Sequence, residues 1–359
     1  MRFSIIAVDS NRPFRECRSL AMYMAARGSD LSGISVLPND DKLIRNRVLT
    51  EVTRNELLII SGDLLPSSVL PASSETVPAF SSPASWFSAE LEGCEILFLP
   101  SGLPQDQVRE VVDGRLEQDQ REVLGVCGLS RDEIMQRLRG SLREEELENI
   151  SILGGAPGVN YIFAPGDTEK ERLNAAADRL GSYLFTRENR SLSSAVLYLL
   201  KERDMTLVTA ESITGGLLCS EIVSVPGASR VFMEGFVTYS NEAKVETLDI
   251  DPESIKSWGA VSREVCLEMA EAAASIRSAD YAISTTGIAG PGGATPEKEV
   301  GLCYIGLRTP NGIYCAGNHF AGGRERVRWM AVISALDILR LSLLECSERL
   351  EKYKSAESD

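Results

Sequence analysis

Histidine is almost missing from this chain: His319 is the only one in 359 residues. A Ser-His-Asp triad or a multi-histidine metal centre is excluded unless that one residue carries it, so hydrolytic chemistry would need another base. Paired cysteines are missing too. Cys17, Cys94, Cys127, Cys219, Cys266, Cys303, Cys315 and Cys346 are scattered without a CxxC spacing. In a chain with no secretory signal they read as reduced core residues, and neither a disulfide framework nor a metal site is expected. No apolar run approaches the roughly 18 residues of a membrane-spanning helix. The opening MRFSIIAVDSNR lacks the long apolar region and small-residue cleavage site of a signal peptide, and reads as a first strand. The expectation is a cytoplasmic protein with no membrane partner. Basic charge is also short: 37 Lys+Arg against 52 Asp+Glu give −15, which opposes a phosphate backbone and makes nucleic acid an unexpected partner.

What is present is an alternation of short apolar runs with amphipathic stretches, the mark of α/β layering. Phe3 to Val8, Gly33 to Leu37, Leu57 to Ser61 and Glu95 to Leu99 read as strands, and Phe14 to Ala26 and Asp41 to Val52 as helices. Between Pro66 and Ser88 eight Ser and four Pro fall in 23 residues, a composition that resists helix and central strand and predicts a long loop. A helix near Gln105 to Leu116, a strand near Glu122 to Cys127 and a helix from Ser130 to Leu138, with Ser130 and Glu133 spaced for a capping box, complete a first domain, 1–145. Two short strands broken by GGAPG and a charged helix from Thr168 to Leu184 make a small connector, 146–188. The last domain, 189–359, alternates again and ends in a long helix from about Arg324 to Tyr353.

Chemistry concentrates in this last domain, in four glycine-bearing polar segments. AESITGG follows an apolar strand. A strand-to-helix turn there presents the Ser212 hydroxyl, with the backbone N–H groups of Thr214, Gly215 and Gly216 at a helix start where an anion could sit; alternatively Ser212 or Thr214 merely caps the helix. In TYSNEAK, Ser240 or Asn241 caps a helix carrying Lys244. That lysine is either a solvated side chain or, with its pKa lowered by burial, the base that a nucleophilic serine requires. TTGIAGPGG places Thr285 and Thr286 before four glycines, including Gly287, Gly290 and Gly292, that let backbone approach a ligand. It is either a phosphate or ribose cradle or a plain turn, and no Lys-Ser or Lys-Thr follows to make it a Walker loop. AGGRERVR brings three arginines to a helix start, with Arg324 suited to gripping a phosphate and Arg326 and Arg328 read as solvated.

Taken together, AESITGG, VPGASRVF, GFVTYSNEAK, WGAVS, TTGIAGPGG and GGRERVR resemble in order and spacing the C-terminal domain of CinA proteins, the PncC family of nicotinamide-nucleotide amidohydrolases. The resemblance runs from about Ser193 to Leu350. It implies hydrolysis of the carboxamide of nicotinamide mononucleotide to nicotinate mononucleotide and ammonia, without metal or cofactor, in pyridine-nucleotide salvage. By motif it makes Ser212 the nucleophile, Lys244 the base, Tyr239 and Thr286 helpers of the proton network or the substrate, and Arg324 the phosphate-side arginine. It also implies an α/β sandwich and self-association, with a dimer as the simplest form. The family often has Cys at Ile213, Asp at Gly323 and EKPVG where this chain has EKEVG. The first 145 residues resemble, more weakly, the molybdopterin-binding-like N-terminal domain of CinA. Its motifs are eroded: VDSNR stands for a GDELL turn and SGDLLP for a GGLGPT loop, so any ADP-ribose pyrophosphatase activity is expected to be lost. The competing reading is a nucleotide-binding or assembly protein with a vestigial amidase site.

Overall fold

The computed structural model describes residues 1–8, 14–37, 40–61, 70, 76–78, 86–99, 105–113, 121–346 and 348–350. It is an α/β structure built on three sheets in chain order. The first holds β1 (Arg2–Val8), β2 (Asp30–Leu37), β3 (Leu57–Ser61), β4 (Thr76–Pro78), β5 (Phe87–Leu91) and β6 (Cys94–Leu99), in the order β2-β1-β3-β6-β5-β4. Its first four strands in that order are parallel. β3 is buried throughout, as a parallel interior strand covered on both faces must be. Leu57 and Ile59 pack with Cys17, Ala21 and Met24 of the helix Phe14–Ala25, and Leu58 and Ile60 with Ile44 and Val48 of the helix Asp41–Glu51. The strand order reverses between β1 and β3, the place where doubly wound sheets take their ligands. The turns that follow these two strands, 9–13 and 62–69, lie outside the described residues, and so does most of the eroded motif sequence. Within the Ser/Pro stretch expected to be loop, Thr76–Pro78 forms a three-residue strand at the sheet edge and β5 begins at Phe87. An edge is where proline is tolerated, because one side of the strand needs no donor.

The second sheet contains β7 (Glu122–Cys127), β8 (Ser151–Gly154), β9 (Val159–Ala164) and β10 (Leu184–Thr186), all antiparallel, in the order β10-β7-β9-β8. The sequence reading grouped β7 with the first 145 residues. Its pairing with β9 places it in the middle sheet instead, a non-local partnership that strand periodicity cannot reveal. The Ser130–Glu133 capping box forms at the helix Arg131–Leu138.

The third sheet, β11 (Leu207–Glu211), β12 (Phe232–Val237), β13 (Tyr281–Gly287), β14 (Leu302–Thr309) and β15 (Gly312–His319), runs β12-β11-β13-β14-β15. β11 is parallel to both its neighbours, and β13, β14 and β15 are antiparallel. Helices cover both faces. Leu207, Ile283 and Ile305 pack with the helices Leu192–Glu202, Leu217–Val223 and Arg324–Leu343, while Val208, Ala210 and Ala282 pack with the helix Arg263–Arg277. Three carboxyl ends, those of β11, β12 and β13, therefore emerge at one edge.

The last helix stops at Leu343, short of the expected Tyr353, which lies outside the described residues. Glu345 takes a left-handed φ of 55°, and Cys346 N–H returns to the Leu341 carbonyl at 2.9 Å. That turn brings Arg349 back against Asp337, 2.7 Å away, where Arg340 also donates at 2.6 Å; all three side chains are buried. Both arginines reach the Ser182 carbonyl beside β10, tying the middle sheet to the last helix. Removing the carboxylate strands two buried cations. Asp337→Ala is expected to lower stability by about 3–5 kcal/mol, read as a fall in the denaturant midpoint of the full chain.

Candidate active site

The carboxyl end of β11 sets the site. Leu207, Thr209 and Glu211 share one face of this strand, and Glu211 is completely buried. A buried carboxylate must find donors. Here Oε2 accepts from the Gly216 and Leu218 amides at 2.9 and 3.1 Å, and Oε1 accepts from Cys219 at 2.8 Å. Glu211 thus closes the amino end of the helix Leu217–Val223, whose cap residue is Gly216 at φ 88° with no side-chain cap of its own.

This corrects one expectation and resolves another. The helix start does not offer the Gly216 amide to an anion, because a carboxylate from within the chain already occupies it. Neither Ser212 nor Thr214 caps the helix. Thr214 is buried and its hydroxyl meets that of Thr285 at 2.7 Å, while its carbonyl accepts from Arg328 at 2.6 Å. Arg328, read from sequence as solvated, is instead half-buried against this turn. Between Ser212 and the capped helix, the amides of Ile213, Thr214 and Gly215 have no acceptor among the described residues.

Ser212 is half-buried and its N–H bonds the Thr285 carbonyl at 2.8 Å, fixing the turn to β13. Its Oγ accepts from Lys244 Nζ at 3.0 Å. Lys244 is 1 % exposed, the opposite of the solvated alternative. The helix Asn241–Leu248, capped by Ser240 through the Ala243 amide, points it inward. Its ammonium also donates to the Thr238 carbonyl at 2.8 Å. Among the described residues no carboxylate bonds this cation, and burial drives its pKa down from the usual value to about 8. The Thr238 hydroxyl, also buried, has no partner among the described residues. An orphaned polar atom of this kind is expected where a polar ligand is received.

The other expected residues lie around this pair without bonding it. Thr286 is buried and donates to the Ala260 carbonyl at 2.7 Å. Tyr239 is 63 % exposed, and its hydroxyl accepts from Arg324 at 3.2 Å. Arg324 is exposed and bonds the Gly290 carbonyl at 2.9 Å, joining the glycine loop to the end of β12. At Gly287 a Cβ would lie 2.6 Å from the Leu302 carbonyl and 2.7 Å from Ile213 Cδ1, so only glycine fits there. Gly290 needs its left-handed φ of 79°, with Val300 pressed against it, whereas Gly292 has open space around it. Gly323, where the resembled family often has Asp, is the N-cap of the last helix and supplies no side-chain acceptor.

Sequence reasoning assigned no role to Glu211 or Thr238; it offered the Thr285 hydroxyl to a ligand beside the glycine loop, where the structure pairs it with Thr214. Glu211 carried one signal: a carboxylate closing an otherwise apolar strand ahead of two glycines and a helix.

A family model described as CinA C-terminal domain matches residues 189–343. A CinA-like protein of Citrifermentans bemidjiense is 34% identical over 301 residues, 79% of this chain and 72% of that protein. A CinA-like protein of Geobacter metallireducens is 34% identical over 294 residues, 77% of this chain and 71% of that protein. Among solved structures, the competence/damage inducible protein CihA from Agrobacterium tumefaciens shares 36% identity, covering 43% of this chain and 93% of that one, with a TM-score of 0.41.

Glu211→Ala deletes three charge-assisted bonds to backbone amides. Its expected cost is about 2–3 kcal/mol of stability, with amide exchange becoming faster first at Gly216, Leu218 and Cys219; unchanged exchange at those amides would contradict the assigned cap.

Proposed function

This chain belongs to the CinA family, and from that premise we propose that it is a metal-independent amidohydrolase that removes the carboxamide nitrogen of nicotinamide mononucleotide. The observation that carries the reading is the 3.0 Å contact between Ser212 Oγ and a buried Lys244 whose pKa lies near 8. A serine hydroxyl is a weak nucleophile until a base takes its proton, and an amine close to neutrality can do so.

The reaction runs in two halves. Neutral Lys244 keeps one N–H on the Thr238 carbonyl and directs its lone pair to Ser212. Ser212 Oγ bonds to the carboxamide carbon while its proton passes to Nζ. The oxyanion that develops is served by amides of the Ile213–Gly215 turn, which have no acceptor among the described residues. The C–N bond then breaks, Lys244 returns the proton to the departing nitrogen, and ammonia leaves a seryl ester. Water, deprotonated by the same amine, attacks that ester and releases nicotinate mononucleotide. Arg324, with Tyr239 and the glycine loop, takes the phosphate side, and Thr286 holds the wall at Ala260 rather than moving a proton. Nucleotide binding alone, with a vestigial amidase site, is less well supported, because the serine and lysine are both retained and in contact.

The purified full chain, free of metal, is expected to release ammonia from nicotinamide mononucleotide. Ser212→Ala and Lys244→Arg should each lose at least about a hundredfold in kcat, the arginine because it does not deprotonate. The base must be neutral, so the rate rises about tenfold per pH unit below pH 8 and levels above it. Nucleotide bound without ammonia release would overturn the amidase and favour a binding protein.

A further inference from the structure

The amino end of β11 carries a second cavity. Its volume is about 330 Å³, at the small end of the range for ligand sites. It lies between the helix Leu192–Glu202 and the turn Ala228–Arg230. The Val231 carbonyl that follows this turn accepts from the Leu207 amide at 2.8 Å, at the start of the strand whose other end leads to Ser212. None of Ser212, Lys244, Tyr239 or Arg324 lines the cavity.

Every polar side chain of the lining is a donor. Ser194, Tyr198 and Lys201 recur at helical spacing along one face of the helix, with Arg190 just before it and Arg230 on the turn. The lining holds no carboxylate and no carboxamide. Ser194 Oγ accepts from Ser191 at 3.1 Å, which leaves the Ser194 hydrogen for another acceptor. Tyr198 is 51 % exposed, and its hydroxyl has no partner among the described residues. Arg190 is paired, with Glu188 at 2.6 Å. Lys201 and Arg230 are not: among the described residues neither has an ion-pair partner, and Glu202 and Asp204, next to Lys201 in the chain, do not reach it. Two of the three lining cations are therefore left without a counter-ion by the fold. Beneath this exposed rim the cavity is apolar, with Leu197 and Val231 buried and Val225 half-buried.

We propose that this cavity binds a small phosphate monoester, with its phosphate on Lys201, Arg230 and the Ser194 and Tyr198 hydroxyls and its organic body against Leu197, Val225 and Val231. A phosphate monoester carries about −1.5 to −2 at pH 7 and only acceptor oxygens on that group, so it matches two unpaired cations flanked by hydroxyl donors. Bonds from cations to such oxygens are the strong, charge-assisted kind. A ligand that presents an amine meets only like charge here. The cavity lies at the opposite end of β11 from Ser212, and the proposal does not depend on the amidase reading.

The probe is phenyl phosphate, titrated calorimetrically into the full chain, with inorganic phosphate and phenol alongside. Saturable binding at one site is expected, with each half-ligand weaker than the whole. Lys201→Gln and Arg230→Gln should each weaken binding about tenfold, since each deletes a charged donor, while Lys201→Arg should keep it. Lys256→Gln, the same loss of charge on the exposed helix Pro252–Trp258, and Arg324→Gln should leave it unchanged. All four positions are exposed, so matching thermal transitions are expected among the variants, and either Lys201→Gln or Arg230→Gln alone is decisive if the other fails to fold. No saturable binding overturns the proposal. So does inorganic phosphate or phenol binding as tightly as phenyl phosphate, or an equal loss in Lys256→Gln, which would reduce the effect to diffuse attraction. Loss in Arg324→Gln with retention in Arg230→Gln would move the ligand to the serine site and overturn it as well. Ammonia release enters none of these outcomes.

Discussion

Burying an ammonium group without a carboxylate is the constraint on which the C-terminal part of this protein turns. Among the described residues Lys244 gains the Thr238 carbonyl and the Ser212 hydroxyl, and no carboxylate, in exchange for water. Desolvation of a cation costs several kcal/mol when it is not repaid by an opposite charge, and the group responds by giving up its proton more readily. The same arrangement that makes the lysine a poor structural element makes it a usable base. A partnering aspartate would stabilise the fold more and abolish that property.

The rest of the domain holds this unfavourable group beside the serine. Parallel strands β11, β12 and β13 bring Ser212, Thr238 and Thr285 to one edge. Glu211 ties the helix start through three amides, Arg328 holds the Thr214 carbonyl, and the Thr285 carbonyl holds the Ser212 amide. Such crossing ties hold the Ser212 turn in one geometry, the precision that the proposed nucleophile would require. The carboxylate also neutralises the positive end of the short helix, so in the proposed reaction the oxyanion would be met by the turn amides rather than by the helix. Farther away, the Asp337–Arg340–Arg349 cluster holds the returning chain end and the middle sheet against the long helix. Its partners are carbonyls at Ser182 and Leu184, so it links elements almost 160 positions apart in the chain.

Much of this was legible in the sequence, for reasons that differ by residue. The α/β class followed from short apolar runs alternating with amphipathic stretches, and local spacing marked the cap at Ser130 and, as Ser240 or Asn241, the cap of the Lys244 helix, which the structure resolves as Ser240. Ser212 and Lys244 stood out because a nearly histidine-free chain needs another base. Their contact, 32 residues apart, came from the parallel pairing of β11 with β12, which no local pattern encodes. Pairing is likewise why the sequence does not show that β7, within residues 1–145, pairs with β9 beyond them, and why Arg328 reads as solvated. A charged residue one helical turn past Arg324 looks like a surface group until β11 and its turn are laid beside it. The last helix was extended too far because Leu344 and Glu345 are compatible with helix by propensity, and only the left-handed φ at Glu345 ends it.

The account rests on Lys244 being a base near neutrality, and direct titration of that side chain addresses it without reference to any substrate. With lysine ε-carbons labelled, the Lys244 resonance, assigned by its loss in Lys244→Arg, is expected to titrate with a midpoint of about 8. A midpoint near 10.4, the ordinary value for lysine, would leave the amine protonated beside Ser212 throughout the neutral range and contradict its role as the proton acceptor.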